Sequence, residues 1–277
     1  MTSVQDLLRS GDDLPGDSAR RDSEILLGHC LSCSRSWLYA WPEHPVDDAQ
    51  AQRYLALLGK RRAGLPVAYL LGRRDFWSLS LEVNEHTLIP RPETELLVQW
   101  ALELALSDAA TVVDLGTGSG AIALALASER PRWDIWGLDV SADALAVAAR
   151  NAEKLQLQHI HLLQSDWYRE LSGRRFDLMV ANPPYIDPQD RHLCSGDVQF
   201  EPRRALVAAN EGLADLSALI GDAGPFLNAG GWMLVEHGYE QGGAVRDLFR
   251  AAGMVDITTR KDLSGHERAS GARRDAH

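Results

Sequence analysis

The chain has 277 residues, is 45% hydrophobic and 24% charged, and carries a formal net charge of −11. That length admits one large domain or two, and the composition is that of an ordinary globular protein rather than a disordered or fibrous one. No apolar run approaches the roughly 18 residues needed to cross a bilayer as a helix. The first residues lack the basic and apolar regions of a secretory signal. Three cysteines cannot form an even disulfide framework, which fits a reducing compartment, so the expectation is a cytoplasmic protein with no membrane partner. Residues 1–75 hold ten Lys/Arg and ten Asp/Glu, so the remainder carries the whole negative excess. An acidic body of that kind argues against binding along a nucleic-acid backbone, and no direct nucleic-acid partner is expected.

From the N-terminus to about residue 62 the pattern is helical, with apolar residues at helical spacing over 19–31 and 47–62. Lys60-Arg61-Arg62 reads as a solvated helix end. Cys30 and Cys33, which follow His29, read as buried structural residues rather than a metal or redox motif. Trp77, Leu79, Leu81 and Val83 alternate with polar residues, a half-buried strand. Pro90-Arg91-Pro92 then precedes an amphipathic helix over 93–106. From Thr111 strands alternate with helices, with strands at 111–115, 134–139, 159–163, 176–181 and 231–236. Helices follow near 119–129, 141–155, 212–223 and 240–252. A further strand is expected over 255–261, and residues from about 270 are expected to fray. The alternation predicts an α/β fold, a doubly wound and mostly parallel Rossmann-like sheet, behind a small N-terminal helical domain. The expected division is 1–75 for the helical domain, 76–95 for a strand or hairpin linker, and 96–277 for the sheet domain.

Asp114-Leu115-Gly116-Thr117-Gly118-Ser119-Gly120 is a strand running into a glycine-rich turn and then a helix. Such glycines permit a tight turn and close approach of a ligand to the backbone. Asp139 ends the next strand, where a carboxylate would hold ribose hydroxyls. A dinucleotide dehydrogenase therefore competes, but Asp114 would sit near a pyrophosphate and repel it. S-adenosylmethionine instead brings a sulfonium and an ammonium, which an acidic loop attracts. Asp166 and Trp167 follow the third strand and would line the adenine pocket at the same sheet edge. Ser141 suits the N-cap of the following helix.

Residues 182–185, Asn182-Pro183-Pro184-Tyr185, end the fourth strand in a stiff corner. The Asn182 side-chain oxygen and the Pro183 carbonyl are acceptors, and Tyr185 is a flat ring. Together they suit a planar, NH₂-bearing group, with the two acceptors holding its N–H bonds and Tyr185 packed on its face. The resulting candidates are Asn182, Pro183 and Tyr185 for catalysis and Pro184 for substrate binding. Asp114, Gly116, Thr117, Gly118, Ser119, Gly120, Asp139, Trp167 and Asn182 are candidates for the methyl donor. No metal is called for.

These residues resemble the amino-group branch of the class I methyltransferases, whose members act on adenine or on protein glutamine. Three further segments are similar to the release factor glutamine N5-methyltransferases, the HemK or PrmC family. They are Gly64-Leu65-Pro66-Val67-Ala68-Tyr69-Leu70-Leu71-Gly72 with Phe76, Leu88-Ile89-Pro90-Arg91-Pro92-Glu93-Thr94-Glu95, and Glu201-Pro202-Arg203-Arg204-Ala205-Leu206 with Asp262 to Arg268. The resemblance spans essentially the whole chain. It implies methyl transfer to the glutamine of the Gly-Gly-Gln loop of peptide chain release factors. It also implies a docking role for the helical domain and for Arg91, the latter alternatively a stiff linker residue. The competing readings are an adenine N6-methyltransferase acting on DNA or RNA, a dinucleotide oxidoreductase, and a non-catalytic cofactor-binding adaptor.

Overall fold

Helices at Val4–Arg9, Ala19–Leu31, Arg35–Ala40, Asp48–Arg62 and Val67–Leu71 build the first part of the computed structural model, which describes residues 2–16 and 18–276. Three of them start on side-chain caps, from Ser3, Ser34 and Asp47. Asp47 Oδ1, for example, accepts from the backbone N–H of Ala49 and Gln50 at 2.9 and 3.3 Å. Leu7, Leu26, Leu27, Leu38, Tyr54 and Leu58 form their shared core, and Cys30 is buried in it. Arg61 is not the solvated residue expected of a helix end. Its side chain is 9% exposed, and it donates to Asp22 at 2.8 Å and to Asp197 at 2.6 Å. Two carboxylates make burial of that guanidinium tolerable. Arg191–Phe200, which carries Asp197, belongs with the residues up to Arg73 to one compact unit, and Arg74–Asp190 with the chain from Glu201 onward forms the other.

The second unit is a seven-stranded sheet. Its strands are β1 Thr111–Leu115, β2 Asp134–Asp139, β3 His161–Gln164, β4 Phe176–Ala181, β5 Leu227–Glu236, β6 Val255–Lys261 and β7 Glu267–Arg273. The order across the sheet is β6-β7-β5-β4-β1-β2-β3. The run β5-β4-β1-β2-β3 is parallel, and β7 lies antiparallel to both of its neighbours. Val112 and Leu178 face one core with Trp100, Leu124 and Leu234. Val113 and Met179 face the other with Leu138, Val235 and Phe249. Both faces are covered, which is why these strands read as continuous apolar runs rather than as alternation.

β7 corrects the expectation of a frayed tail from about residue 270. Ser270, Ala269 and Ala272 are fully buried. Small residues are required there: a Cβ on Gly271 would lie 2.4 Å from Leu234 Cδ2 and 2.9 Å from the Trp100 ring. The half-buried strand expected over 77–83 is Leu79–Glu82, paired with Arg73–Phe76. The Glu82 backbone N–H donates to Asn151 Oδ1 at 2.6 Å, fixing this hairpin to helix Ala142–Lys154. Among the described residues no helix is long and apolar enough to cross a membrane. β1, β2, β3 and β4 all end on one edge of the sheet, and the loops leaving that edge build the site.

Candidate active site

The turn after β1 is held by two bonds. The N–H groups of Gly116 and Thr117 both donate to the Leu138 carbonyl at 2.8 Å. Gly116 has φ +80° and Gly118 φ +56°, a region that side chains enter at a cost. A Cβ on Gly116 would meet the Trp167 ring at 3.5 Å, whereas the space beside Gly118 is open. The backbone is thus bare where a ligand would lie against it. Trp167 itself has φ +49°, an unusual conformation for a bulky residue. The Ser165 hydroxyl holds it there by donating to the Trp167 carbonyl at 2.7 Å.

Asp139 ends β2 with both carboxylate oxygens engaged by backbone. Oδ2 accepts from Gly118 N–H at 2.9 Å, and Oδ1 accepts from Ser141 N–H at 2.8 Å. Burial pushes its pKa up, while those two bonds and the Arg204 charge act the other way. A carboxylate oxygen can accept more than one bond, so Asp139 retains capacity for a ligand hydroxyl. Ser141 caps the next helix through Ala144 N–H at 3.2 Å, as expected.

These loops surround a cavity of about 590 Å³. Gly116, Thr117, Gly118, Asp139, Asp166, Trp167, Asn182 and Pro184 line it, so the two halves of the expected site share one space. Asp139, Asp143, Asp166 and Asp215 bring four carboxylates to the wall, with Arg204 and His86 among the other lining residues. That balance favours a ligand bearing positive charge and opposes a pyrophosphate. Bare glycine backbone, an aromatic ring and a ribose-ready carboxylate fit S-adenosylmethionine.

Several expected site residues lie elsewhere. Asp114 is 1% exposed and sits behind the loop rather than in the cavity wall. Its Oδ2 accepts from Thr117 Oγ at 2.7 Å and from Ala123 N–H at 3.2 Å, while Oδ1 has no hydrogen-bond partner. Burial pushes its pKa up to about 7, because an enclosed carboxylate loses its hydration. Asp114 therefore organises the turn and carries only part of a charge near neutrality. Ser119 is buried, its carbonyl accepting from Asn151 Nδ2 at 2.9 Å. Gly120 packs against Leu124 and Ala148.

At the corner, Asn182 Nδ2 donates to Thr94 Oγ1 at 3.1 Å. One N–H of the amide is thereby engaged, and the oxygen is left as an acceptor for the cavity that Asn182 lines. Pro183 is buried. Tyr185 does not present its face to the cavity as expected. Its hydroxyl donates to Glu236 Oε1 at 3.0 Å, and its ring packs against the core of Met233 and Val235. Arg91 is likewise engaged: it bonds the carboxylate of Glu201, whose side chain is fully enclosed, and that same carboxylate accepts from Ile89 N–H at 2.9 Å.

Two family models match, the PrmC N-terminal domain over residues 7–72 and the methyltransferase small domain over residues 92–198. The release factor glutamine methyltransferase of Salmonella typhimurium is 50% identical over 254 residues, covering 92% of each chain. That of Pseudomonas aeruginosa is 49% identical over 268 residues, covering 97% of each. The chain belongs to the release factor glutamine methyltransferase family. Among solved structures, the hMettl16 catalytic domain in complex with a MAT2A 3′UTR hairpin is 18% identical, with a TM-score of 0.60 over 87% of this chain and 85% of that one. It shares the class I methyltransferase fold of the sheet unit. The protein is thus a methyltransferase with S-adenosylmethionine as its methyl donor.

Sequence reasoning missed part of the wall. Thr94, Asp143, Arg204 and Asp215 also line the cavity. Burial pushes the Asp215 carboxyl up, and a hydrogen bond with the Trp167 side chain opposes that shift. The only sequence signal for Thr94 and Arg204 was membership in the two proline-bracketed segments. Asp215 stands at the start of helix Ala214–Asp222 and carried no signal.

Proposed function

We propose that this protein methylates the side-chain amide nitrogen of the glutamine in the Gly-Gly-Gln loop of peptide chain release factors. The single observation that carries the site assignment is the Asn182 amide. With its nitrogen bonded to Thr94, its oxygen is an acceptor in a cavity whose wall suits a cationic ligand. The donor supplies a methyl group made electrophilic by a sulfonium. Gly116, Gly118, Asp139 and Trp167 hold that donor. Asn182 Oδ1 and the Pro183 carbonyl accept the two N–H bonds of the glutamine amide and orient its nitrogen.

A carboxamide nitrogen is a poor nucleophile because its lone pair is delocalised. As its bond to the methyl carbon forms and the C–S bond of the sulfonium breaks to release a neutral thioether, positive charge grows on nitrogen, and both acceptors bind its N–H groups more strongly until one of those protons leaves to solvent. Fixed dipoles that strengthen only in the transition state lower the barrier, and positioning supplies much of the rest. The helical unit docks the factor. Tyr39 and Trp41, 59% and 58% exposed, support that role, since exposed aromatics are common anchors.

Methyl transfer from labelled donor to purified release factor, DNA and RNA tests the reading. Label is expected in the release factor; label found in nucleic acid alone would favour the adenine methyltransferase. Asn182→Ala is expected to fold and to lose most transfer while donor affinity changes less. Undiminished turnover in that variant would remove Asn182 from the mechanism.

A further inference from the structure

The Asn-Pro-Pro-Tyr corner lacks the usual means of holding itself in place. Neither proline has an N–H to donate, so no backbone bond from 183 or 184 fixes the peptide plane that aims the Pro183 carbonyl. On the near side Asn182 is anchored by Thr94. The far-side anchors lie beyond the prolines. Ile186 N–H donates to the Leu206 carbonyl at 2.9 Å, and the Tyr185 carbonyl accepts from Gln241 Nε2 at 3.0 Å. Gln241 is half-buried, stands immediately before helix Gly242–Ala251, and takes no part in the chemistry proposed above. The same nitrogen donates to the Glu211 carbonyl at 3.0 Å, and Gln241 Oε1 accepts from Gly238 N–H at 2.8 Å.

The sense of this amide follows from its partners. Gly238 offers it an N–H, while Tyr185 and Glu211 offer it carbonyls, so the oxygen must face Gly238 and the nitrogen the other two. The amide has two N–H groups, one for each carbonyl. The second carbonyl belongs to a strained turn. Asn210, Glu211 and Gly212 have φ +54°, +56° and +80°, three successive residues in the left-handed region, where the two side-chain-bearing ones pay a steric cost. A Cβ on Gly212 would lie 2.1 Å from the Tyr185 carbonyl oxygen, so the turn passes the corner at a distance that only glycine allows. Val207 and Asp215, on either side of this turn, both line the cavity. Gln241 thus bridges the corner to a strained piece of the cavity's frame.

We infer that Gln241 is a positioning residue for methyl transfer: by clamping the Tyr185 carbonyl to the left-handed turn, it fixes the far end of the corner and with it the direction of the Pro183 carbonyl. The inference rests on the corner being the acceptor of the glutamine amide. Helix Ala214–Asp222, which follows the turn, is held by its own buried Leu216, Leu219 and Ile220. Gly116, Gly118, Asp139 and Trp167 stand on other loops, so the donor's side of the cavity does not depend on the clamp.

The test uses the full chain, labelled donor and purified release factor, with Gln241→Met, Gln241→Glu and Asn182→Ala. Gln241→Met keeps the length and removes the amide. Gln241→Glu keeps the acceptor for Gly238 and turns an oxygen toward the two carbonyls in place of the donors. Both are expected to lower kcat roughly 10- to 100-fold, the scale on which misplacement acts, with Gln241→Glu falling at least as far as Gln241→Met. The KM for release factor, and the donor Kd and number of donor sites per chain from calorimetry, are expected to change little. A purely structural Gln241 would instead remove folded chain: melting temperature and donor sites would fall together while kcat per donor site held, and that result would overturn the inference. In the Asn182→Ala background Gln241→Met is expected to cost less than it does alone, because the two acceptors hold one amide and act as a unit; losses that multiply in full would count against the clamp. Parent kcat in both Gln241 variants beside an inactive Asn182→Ala would overturn the positioning role and leave the catalytic reading standing. Full activity in Asn182→Ala would overturn both.

Discussion

Removing Arg91 is expected to unfold the sheet unit more readily than removing its partner. The Glu201 carboxylate is fully enclosed, accepting from Ile89 N–H and from the Arg91 guanidinium, which is 30% exposed. In Glu201→Ala the buried Ile89 N–H loses its acceptor, worth about 1–3 kcal/mol. Arg91 can turn to solvent, so the lost pairing adds about 1 kcal/mol or less. The sum is about 1–4 kcal/mol. Arg91→Ala leaves an enclosed carboxylate without a counter-charge, for which about 3–5 kcal/mol is typical. In the double variant the costs are expected to fall short of additivity, because each single change orphans the other's partner. Urea unfolding followed by circular dichroism measures all three. The pair also joins two stretches of cavity wall, Leu88 with Pro90 and Pro202 with Arg204, so donor affinity is expected to weaken alongside stability. A substrate-contacting Arg91 makes the opposite forecast. If Arg91→Ala unfolds within about 0.5 kcal/mol of the parent and only the KM for release factor rises, the reasoning from burial fails.

Asp114→Asn tests the enclosed carboxyl behind the loop. Its folded pKa of about 7 lies above the ordinary value of 3.8, so folding favours the protonated form. That contribution is complete below the unfolded pKa and is lost as pH rises through about 7, by at most about 4 kcal/mol. The asparagine variant is therefore expected to gain on the parent in urea midpoint between pH 5 and pH 8; parallel profiles would refute the assignment. Gly271→Val is expected to cost about 1–3 kcal/mol by overpacking, since even a Cβ there would meet Leu234 and Trp100. Tryptophan emission during urea unfolding reports it, and an unchanged midpoint would show that Trp100 and Leu234 can yield.

Much of the sheet was legible because its strands are apolar on both faces. β1, β2 and β4 begin and end where the residue pattern places them, and so does the half-exposed, alternating β6. β7 was not legible: Ala269-Ser270-Gly271-Ala272 has neither β-branched residues nor alternation, and its smallness answers to Trp100 and Leu234 far away in the chain. Arg61 was misread for a similar reason. Its partner Asp197 is 136 positions away, and local charge looks the same on a solvated helix end as in a buried pair. Asp114 shows the converse limit. A sequence gives a carboxylate its formal charge, while burial decides how much of it is expressed. Asn182, Gly116, Gly118 and Asp139 were visible because strand ends and glycine turns are local features. Thr94 was not, because its bond to Asn182 joins segments 88 positions apart.

The placement of β7 has a consequence for how the chain is made. It is synthesised after β5 and β6, yet it lies between them. Until residues 267–273 leave the ribosome, β5 has no neighbour on that side and its N–H and C=O groups there are open. From the emergence of β5 until then, the nascent sheet carries an unpaired edge, with the attendant risk of pairing with another chain. Closure waits for a strand that must enter an interior position rather than add at a rim.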